Sequence, residues 1–330
     1  CDWSSDVCSS DLKSEHLPFA PRGIALGVFD GVHKGHRHLI SMLMRRCEEL
    51  ELRPGVFTFS YDTGVGFNDR IVNHDFLMTD DEKIETLRSL GVEDIFLIPL
   101  TSEFCHLSAD SFLRGVLVER LNTRLLAIGE DGRFGWKGQG DAAFLKEFAR
   151  HNALEPLIVP DFLWKGRKVT STRIREALAI GHIEEATEMM ESAFRLQGIV
   201  VSGSNLGSRI GFPTANFTYP STSALLRRGV YATHTRLDGV RWPSITNVGV
   251  APSVRETGSD MLVETHLYDY DGDLYGRTLA VEFEAFIRDE CVFSTIHDLA
   301  ARVRADLDAV RALHQSGGEA PLSGMSCIIE

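Results

Sequence analysis

"GIALGVFDGVHKGHRHL", residues 23–39, decides how the fold is read. Residues 23–29 form a short apolar run, as in a strand buried on both faces. Beyond it, "RHLISMLMRRCEEL" places Leu39, Ile40, Leu43, Met44, Cys47 and Leu50 at helical spacing. Between the two lies a glycine-rich turn carrying His33 and His36. Strand, tight turn and helix in that order aim backbone N–H groups and a helix dipole at an anion. Gly31 and Gly35 let the backbone come close to such a ligand. The two histidines, three residues apart, share a face once the helix has begun and can donate to phosphate oxygens.

Two blander readings stand beside this one. The histidines are then surface residues of a loop, or they bind zinc. No third ligand stands at a typical zinc spacing, which discounts the metal. The turn is neither a P-loop nor a dinucleotide fingerprint. A GxGxxA at Gly138, Gly140 and Ala143 follows a loop rather than a strand.

Working outward, the alternation continues. "GVFTFS", "DIFLIPL", "RLLAIG" and "EPLIVP" read as four further strands. "TDDEKIETLRSLG", with a capping box from Thr79 to Glu82 and a stop at Gly91, reads as a helix, as do "SADSFLRGVLVERL" and "DAAFLKEFARHN". Strands alternating with helices predict a doubly wound parallel sheet whose ligands bind at a topological switch point. Just after the fifth strand, "TSTRIREAL" places Thr170, Ser171 and Thr172 before Arg173 and Arg175 at a helix start. Hydroxyls and N-terminal amides there suit a polyphosphate with an arginine clamp, although simple capping explains them equally when they stand alone.

After about residue 190 the texture changes. "RLQGIVVSG", "GVYATHTRLDG", "RWPSITNVGV", "LVETHLYDYDG" and "TLAVEFEAFI" are short, β-branched and separated by glycine and Asp-Gly turns, predicting an antiparallel sheet or small barrel. One long helix closes it, with Ile296, Leu299, Val303, Leu307 and Val310 along one face. In "GSNLGSRIGFPTANF", Gly203, Gly207 and Gly211 suggest a flexible loop over phosphates. Thr214 and Asn216 alternate along an extended segment and offer hard oxygen ligands on one side. A turn into an edge strand is the alternative. Glu264 in "LVETHLYD" taken by itself reads as an outward-facing strand residue.

The chain of 330 residues carries a formal net charge of −13, with 43% hydrophobic and 25% charged residues. This is ordinary globular composition, enough for two domains, and argues against nucleic acid as a partner. No run of 18 apolar residues suggests a membrane span. The six cysteines form no CxxC pair, so reduced thiols and a cytoplasmic location are expected. Residues 1–14, "CDWSSDVCSSDLKS", lack a clear period, resemble translated sequencing adapter and are set aside as a non-native leader. Residues 316–330 read as a flexible tail. The remainder is divided at 15–187 and 188–315.

Together, "GVFDGVHKGH", "LSADSFL", "GEDGRFG" and "TSTRIREALAIG" resemble the FAD synthetase module of bacterial bifunctional riboflavin kinase/FAD synthetases, within the nucleotidylyltransferase superfamily. "GFPTAN", "GVYA", "NVG", "VETHLYDYDGDLYG" and "FIRDE" resemble, in the same order, the flavokinase module. The resemblance implies a Rossmann-like N-terminal domain and a C-terminal β-barrel closed by a helix. It implies that riboflavin is phosphorylated by ATP to FMN and FMN adenylylated by ATP to FAD, with Mg²⁺ as cofactor. By it, His33 and His36 stabilise charge on the ATP α-phosphate. Gly27, Phe29, Asp30, Gly31, Gly35, Asp131, Ser171, Thr172 and Arg173 bind that nucleotide. Gly203, Gly207, Gly211, Thr214 and Asn216 bind the kinase ATP, with Thr214 and Asn216 on the metal. Glu264 is the base for the riboflavin 5′-hydroxyl, and Arg288 and Glu290 line the flavin side. The sequence departs from the family at "TFSYDTGVGF", at Gly132 where Phe is usual, at "NVGVAPS", where Ala251 and Ser253 replace Arg and Thr, and at "MESAF". A single active module, or a flavin- or nucleotide-binding regulator without turnover, is the alternative. Oligomeric state is left open; the expected partners are small molecules.

Overall fold

The computed structural model describes residues 20–60, 75–203, 207, 210–250 and 261–315. The leader, the tail, the Tyr61–Gly66 segment, Ala251 and Ser253 lie outside the described residues. Contacts divide the chain into two compact units, broadly residues up to 171 and residues from 172 onward, with 75–77 joining the second.

The first unit is built on five parallel strands: β1 (Arg22–Leu26), β2 (Arg53–Ser60), β3 (Asp94–Pro99), β4 (Thr123–Gly129) and β5 (Glu155–Val159). Their order is β3-β2-β1-β4-β5. Buried on both faces, they read as continuous apolar runs because neither face meets water. Helices α1 (Lys34–Leu50) and α2 (Asp80–Ser89) follow β1 and β2. The α2 capping box forms as the sequence predicts. Thr79 Oγ1 accepts from Glu82 N at 3.3 Å, and Thr79 N donates to Glu82 at 2.8 Å.

One predicted helix differs. "SADSFLRGVLVERL" begins as α4 (Ala109–Ser111), after a short α3 (Ser102–Cys105), and continues as a π-helical stretch over Phe112–Arg120. The wider turn buries Phe112, Leu113 and Leu117 against the sheet. Apolar spacing of three and four residues does not separate π from α winding. Helix α5 (Ala142–Arg150), capped by Asp141, precedes β5, and a small hairpin of β6 (Leu163–Trp164) and β7 (Arg167–Lys168) follows it. Strand order reverses at β1, flanked by β2 and β4, so the turn after β1 lies at the switch point.

The second unit takes α6 (Ser171–Ile180) from Thr172 onward and α7 (Ile183–Met190). Its sheet has six antiparallel strands: β8 (Phe194–Ile199), β9 (Ala215–Thr218), β10 (Gly229–Leu237), β11 (Val240–Val250), β12 (Met261–Leu267) and β13 (Thr278–Arg288). The order is β8-β13-β10-β11-β12-β9. A bridge from Val201 N to the Asn216 carbonyl, 2.8 Å, joins the two edges and nearly closes a barrel. Thr233, Thr235, Ser244, Thr246 and Thr265 are fully buried and satisfy one another's hydroxyls.

Helix α8 (Ile296–Gln315) follows β13. Its apolar face splits. Leu307, Val310 and Leu313 are buried, whereas Leu299 and Val303 line a cavity and Ile296 is exposed. Periodicity finds the face but not what covers it. Among the described residues Cys47 and Cys105 are free thiols, as expected. Among the described residues no helix is long and apolar enough to cross a membrane.

Candidate active sites

In the first unit the chain leaves β1 through a strained turn. Phe29 (φ 54°) and Val32 (φ 33°) both adopt left-handed backbone, and Gly31 (φ 78°) sits between them. Left-handed backbone at an aromatic and a β-branched residue persists only where the surroundings over-determine it, and such strain gathers at functional sites. Phe29 is fully buried and its ring lies 5.1 Å from that of His36; Gly27 backs onto the same phenyl ring.

His33 caps α1, its Nδ1 accepting from His36 N at 3.3 Å. That bond folds one imidazole onto the other, with ring centroids 3.7 Å apart and planes inclined by only 13°. Gly35 makes room for this: a Cβ there would stand 3.2 Å from the His33 ring. His36 Nδ1 is buried and makes no hydrogen bond. Burial first, then the neighbouring His33 and the Lys83 charge, hold the His36 imidazole well below its usual 6.5. His36 is therefore neutral in the unliganded protein, with an unsatisfied nitrogen beside a switch-point turn.

Lys83 is a site residue that sequence reasoning missed. It is buried on α2, donates to the Phe59 carbonyl at 2.9 Å and pairs with Asp80 at 2.9 Å. Its signal was present: a lysine one turn before Leu87, on the helix's buried face. Ser171, the first residue of α6, donates to the Asp30 carbonyl at 3.1 Å, which brings the "TST" segment to the histidine turn. Asp131 sits elsewhere on the rim, largely exposed and paired with Lys168 at 2.6 Å. At Gly132 a Cβ would stand 3.0 Å from the Gly129 carbonyl, so any larger side chain there requires the local backbone to give by a few tenths of an ångström. Thr172 and Arg173 fall in the second unit, where Arg173 pairs with Glu185 of α7 at 2.8 Å and lowers that carboxyl's pKa.

In the second unit strand register assembles the site. Asn247 on β11 pairs with Glu264 on β12, which pairs with Asn216 on β9. Cross-strand partners share a face, so these three form one polar row. Asn247 Nδ2 donates to Glu264 at 3.3 Å, and Asn216 Nδ2 to the Thr214 carbonyl at 3.1 Å. Asn216 Oδ1 is buried and makes no hydrogen bond. Asn247 is a second residue that the sequence reading left without a role, although it opens "NVG".

The row edges a cavity of about 570 Å³ whose lining includes Gly207, Thr214, Glu264, Arg288 and Glu290. A second cavity of about 220 Å³ also reaches Thr214 and continues to Asp271 and Asp273. Thr214 thus stands between two spaces. Gly203 packs against the Asn216 carboxamide, and Gly211 turns the loop at φ 88°. Arg288 is buried and bound to Asp306 of α8 at 2.7 Å. Burial first, with the Glu264 charge adding to it, pushes the Glu290 carboxyl above its ordinary pKa against the pull of Arg228 and Arg288.

Two family models match the chain: FAD synthetase over residues 19–173 and riboflavin kinase over residues 190–314. A bifunctional riboflavin kinase/FMN adenylyltransferase from Pseudomonas fluorescens is 32% identical over 305 residues, covering 92% of this chain and 95% of that protein. The proteins of the same description from Haemophilus influenzae and Escherichia coli K12 are each 32% identical, covering 89% and 86% of this chain and 94% and 90% of their own. A crystal structure named as a macrolide-efflux protein from Streptococcus pneumoniae aligns with a TM-score of 0.80 at 27% identity, over 91% of this chain and 96% of that one.

Proposed function

This chain belongs to the bifunctional riboflavin kinase/FMN adenylyltransferase family, and from that premise we propose how its residues divide the work. It is an enzyme with both activities: riboflavin is phosphorylated by ATP to FMN, and FMN is adenylylated by ATP to FAD. The observation that carries the division of roles is the presence of two separately built polar sites, the stacked histidine pair after β1 and the Asn247–Glu264–Asn216 row. The gap between the two family matches supports assigning residues 15–187 to adenylyl transfer and 188–315 to the kinase.

At the kinase site, Glu264 accepts the proton of the riboflavin 5′-hydroxyl. The hydroxyl oxygen bonds to the γ-phosphorus as the bond to the β-phosphate oxygen breaks, leaving ADP. Asn247 holds the carboxylate in place. The isoalloxazine ring occupies the larger cavity and the nucleotide the smaller one, with Thr214 where they meet. The Thr214 hydroxyl and the orphaned Asn216 Oδ1 are hard oxygen donors that fit Mg²⁺. When bound, that ion would neutralise charge on the phosphates. Arg288, tied to Asp306, shapes the flavin side with Glu290.

At the adenylylation site, an FMN phosphate oxygen attacks the α-phosphorus of ATP and pyrophosphate leaves. His33 and His36 hold the developing charge, and the turn from Gly27 through Asp30, Gly31 and Gly35 presents its backbone to the phosphates. Burial holds the His36 pKa down, and a polyphosphate beside it would favour the charged imidazole and so place positive charge where transfer needs it. Ser171 joins through Asp30; Thr172 and Arg173 follow it in sequence as further phosphate ligands, and Asp131 lies toward the nucleotide. Consumption of ATP at both sites favours a cytoplasmic location.

Incubation with riboflavin, ATP and Mg²⁺ followed by separation of the flavins tests the reading. FMN and FAD are expected. FMN alone would sink the bifunctional claim, and no product would make the protein a binder.

A further inference from the structure

The strongest unassigned cluster lies outside both sites. His234 on β10, Glu284 on β13 and His314 in the last turn of α8 bring one ligand atom each within 4.8 Å of one another. In the register His234 pairs with Glu282, and Glu284 falls in the bulge where the pairing shifts between Ala232 and Thr233, which turns its carboxylate toward His234. His234 Nδ1 lies 2.8 Å from Glu284 Oε1, and His314 Nε2 lies 3.4 Å from Glu284 Oε2. The two imidazole rings are 4.5 Å apart. All three side chains are at least half buried; His314 Nδ1 is buried without a hydrogen bond, and among the described residues Nε2 meets only the Glu284 carboxylate.

We propose that His234, Glu284 and His314 bind a zinc-class divalent ion that fastens the end of α8 to the barrel. Two imidazoles and one carboxylate are a zinc donor set, with a fourth position left for water. Zinc bonds of about 2.0–2.2 Å place tetrahedral ligands about 3.4 Å apart. Two of the three pairs already stand at or inside that spacing, and rotation of the His234 and His314 rings supplies the rest. Arg241 contacts Glu284 Oε1 and also holds Glu282. It orients the carboxylate from outside and leaves Oε2 facing His314, as outer hydrogen bonds do for metal ligands.

The cluster ties a buried imidazole on α8 to two barrel strands. The other end of the same helix supplies Leu299, Val303 and Asp306 to the larger cavity. An ion at the cluster therefore anchors the helix that walls that cavity. The proposal uses no residue assigned above to either reaction, so it stands or falls separately from the proposed function.

The test uses the full-length, tag-free chain stripped with a chelator, titrated with Zn²⁺ against a chromophoric competitor and with Co²⁺ followed by its visible absorption. One equivalent per chain is expected, together with a tetrahedral Co²⁺ spectrum and a higher melting midpoint with Zn²⁺. His314→Ala, the near-isosteric His314→Gln and Glu284→Gln should each weaken binding by at least ~10-fold and abolish the Co²⁺ bands. Mg²⁺-supported FMN formation, expected in all three, reports folding. Zinc binding of equal stoichiometry and affinity in the variants, or no zinc retained by the unsubstituted chain, would overturn the proposal.

Discussion

The two units build their candidate phosphate sites with opposite electrostatics. The parallel-sheet unit stacks two imidazoles at a strained turn, His33 buried and His36 turning a buried nitrogen inward with its pKa held well below the usual value. The barrel unit places a carboxylate in a polar row at the edge of a cavity. The parallel sheet has only its strand ends available for a site, so function concentrates in one turn. A barrel has a whole face, so register spreads function over three strands. The first site accordingly depends on close packing and the second on alignment.

Four substitutions or conditions press on that contrast. The largest effect is expected from Glu264→Ala, which should lower FMN formation by ~10²–10⁴-fold. FAD formation from supplied FMN should be retained; loss of both would contradict separate sites. His36→Ala should do the converse, lowering FAD formation by ~10²–10³-fold while riboflavin phosphorylation continues. Gly35→Ala tests dependence on packing. Its Cβ would press on the His33 ring from 3.2 Å, and a displacement of a few tenths of an ångström should cost about tenfold in adenylyl transfer. An unchanged rate would show that ring stacking is dispensable.

The smallest effect is on stability. His36 has a lower pKa folded than unfolded, so the folded state binds its proton less well. Its stability contribution is intact above the unfolded value near 6.5 and is lost as pH falls from there toward the depressed folded value. Melting of the unsubstituted protein should therefore decline across that window more steeply than that of His36→Asn. Parallel declines would remove the assignment of a desolvated His36.

Much of the fold was legible because each unit writes its burial pattern into the chain. Continuous apolar runs marked the parallel strands, alternation marked the barrel strands, and Thr79, Glu82 and Gly91 marked the ends of α2. The π winding over Phe112–Arg120 was not legible, because α and π turns bury nearly the same spacing. Nor was the split face of α8, where Leu299 and Val303 line a cavity while Val310 and Leu313 sit in the core. Of the candidate sites, the histidines and "GFPTAN" could be found from local chemistry. Lys83 and Asn247 were passed over: the spacing to Leu87 puts Lys83 on the buried face of α2, but the role of that lysine, like that of the asparagine on β11, comes only from what it faces.

By itself the sequence determined the two units, their order, the histidine turn and the residue types able to handle phosphate. These are local properties: hydrophobic period, turn chemistry and short motifs act over a few residues. The tertiary structure alone decided that His36 is neutral, that Glu264 stands between two asparagines, and that His234, Glu284 and His314 converge. Each depends on residues tens of positions apart meeting at a few ångströms. Desolvation and hydrogen bonding at that range are set by packing and register.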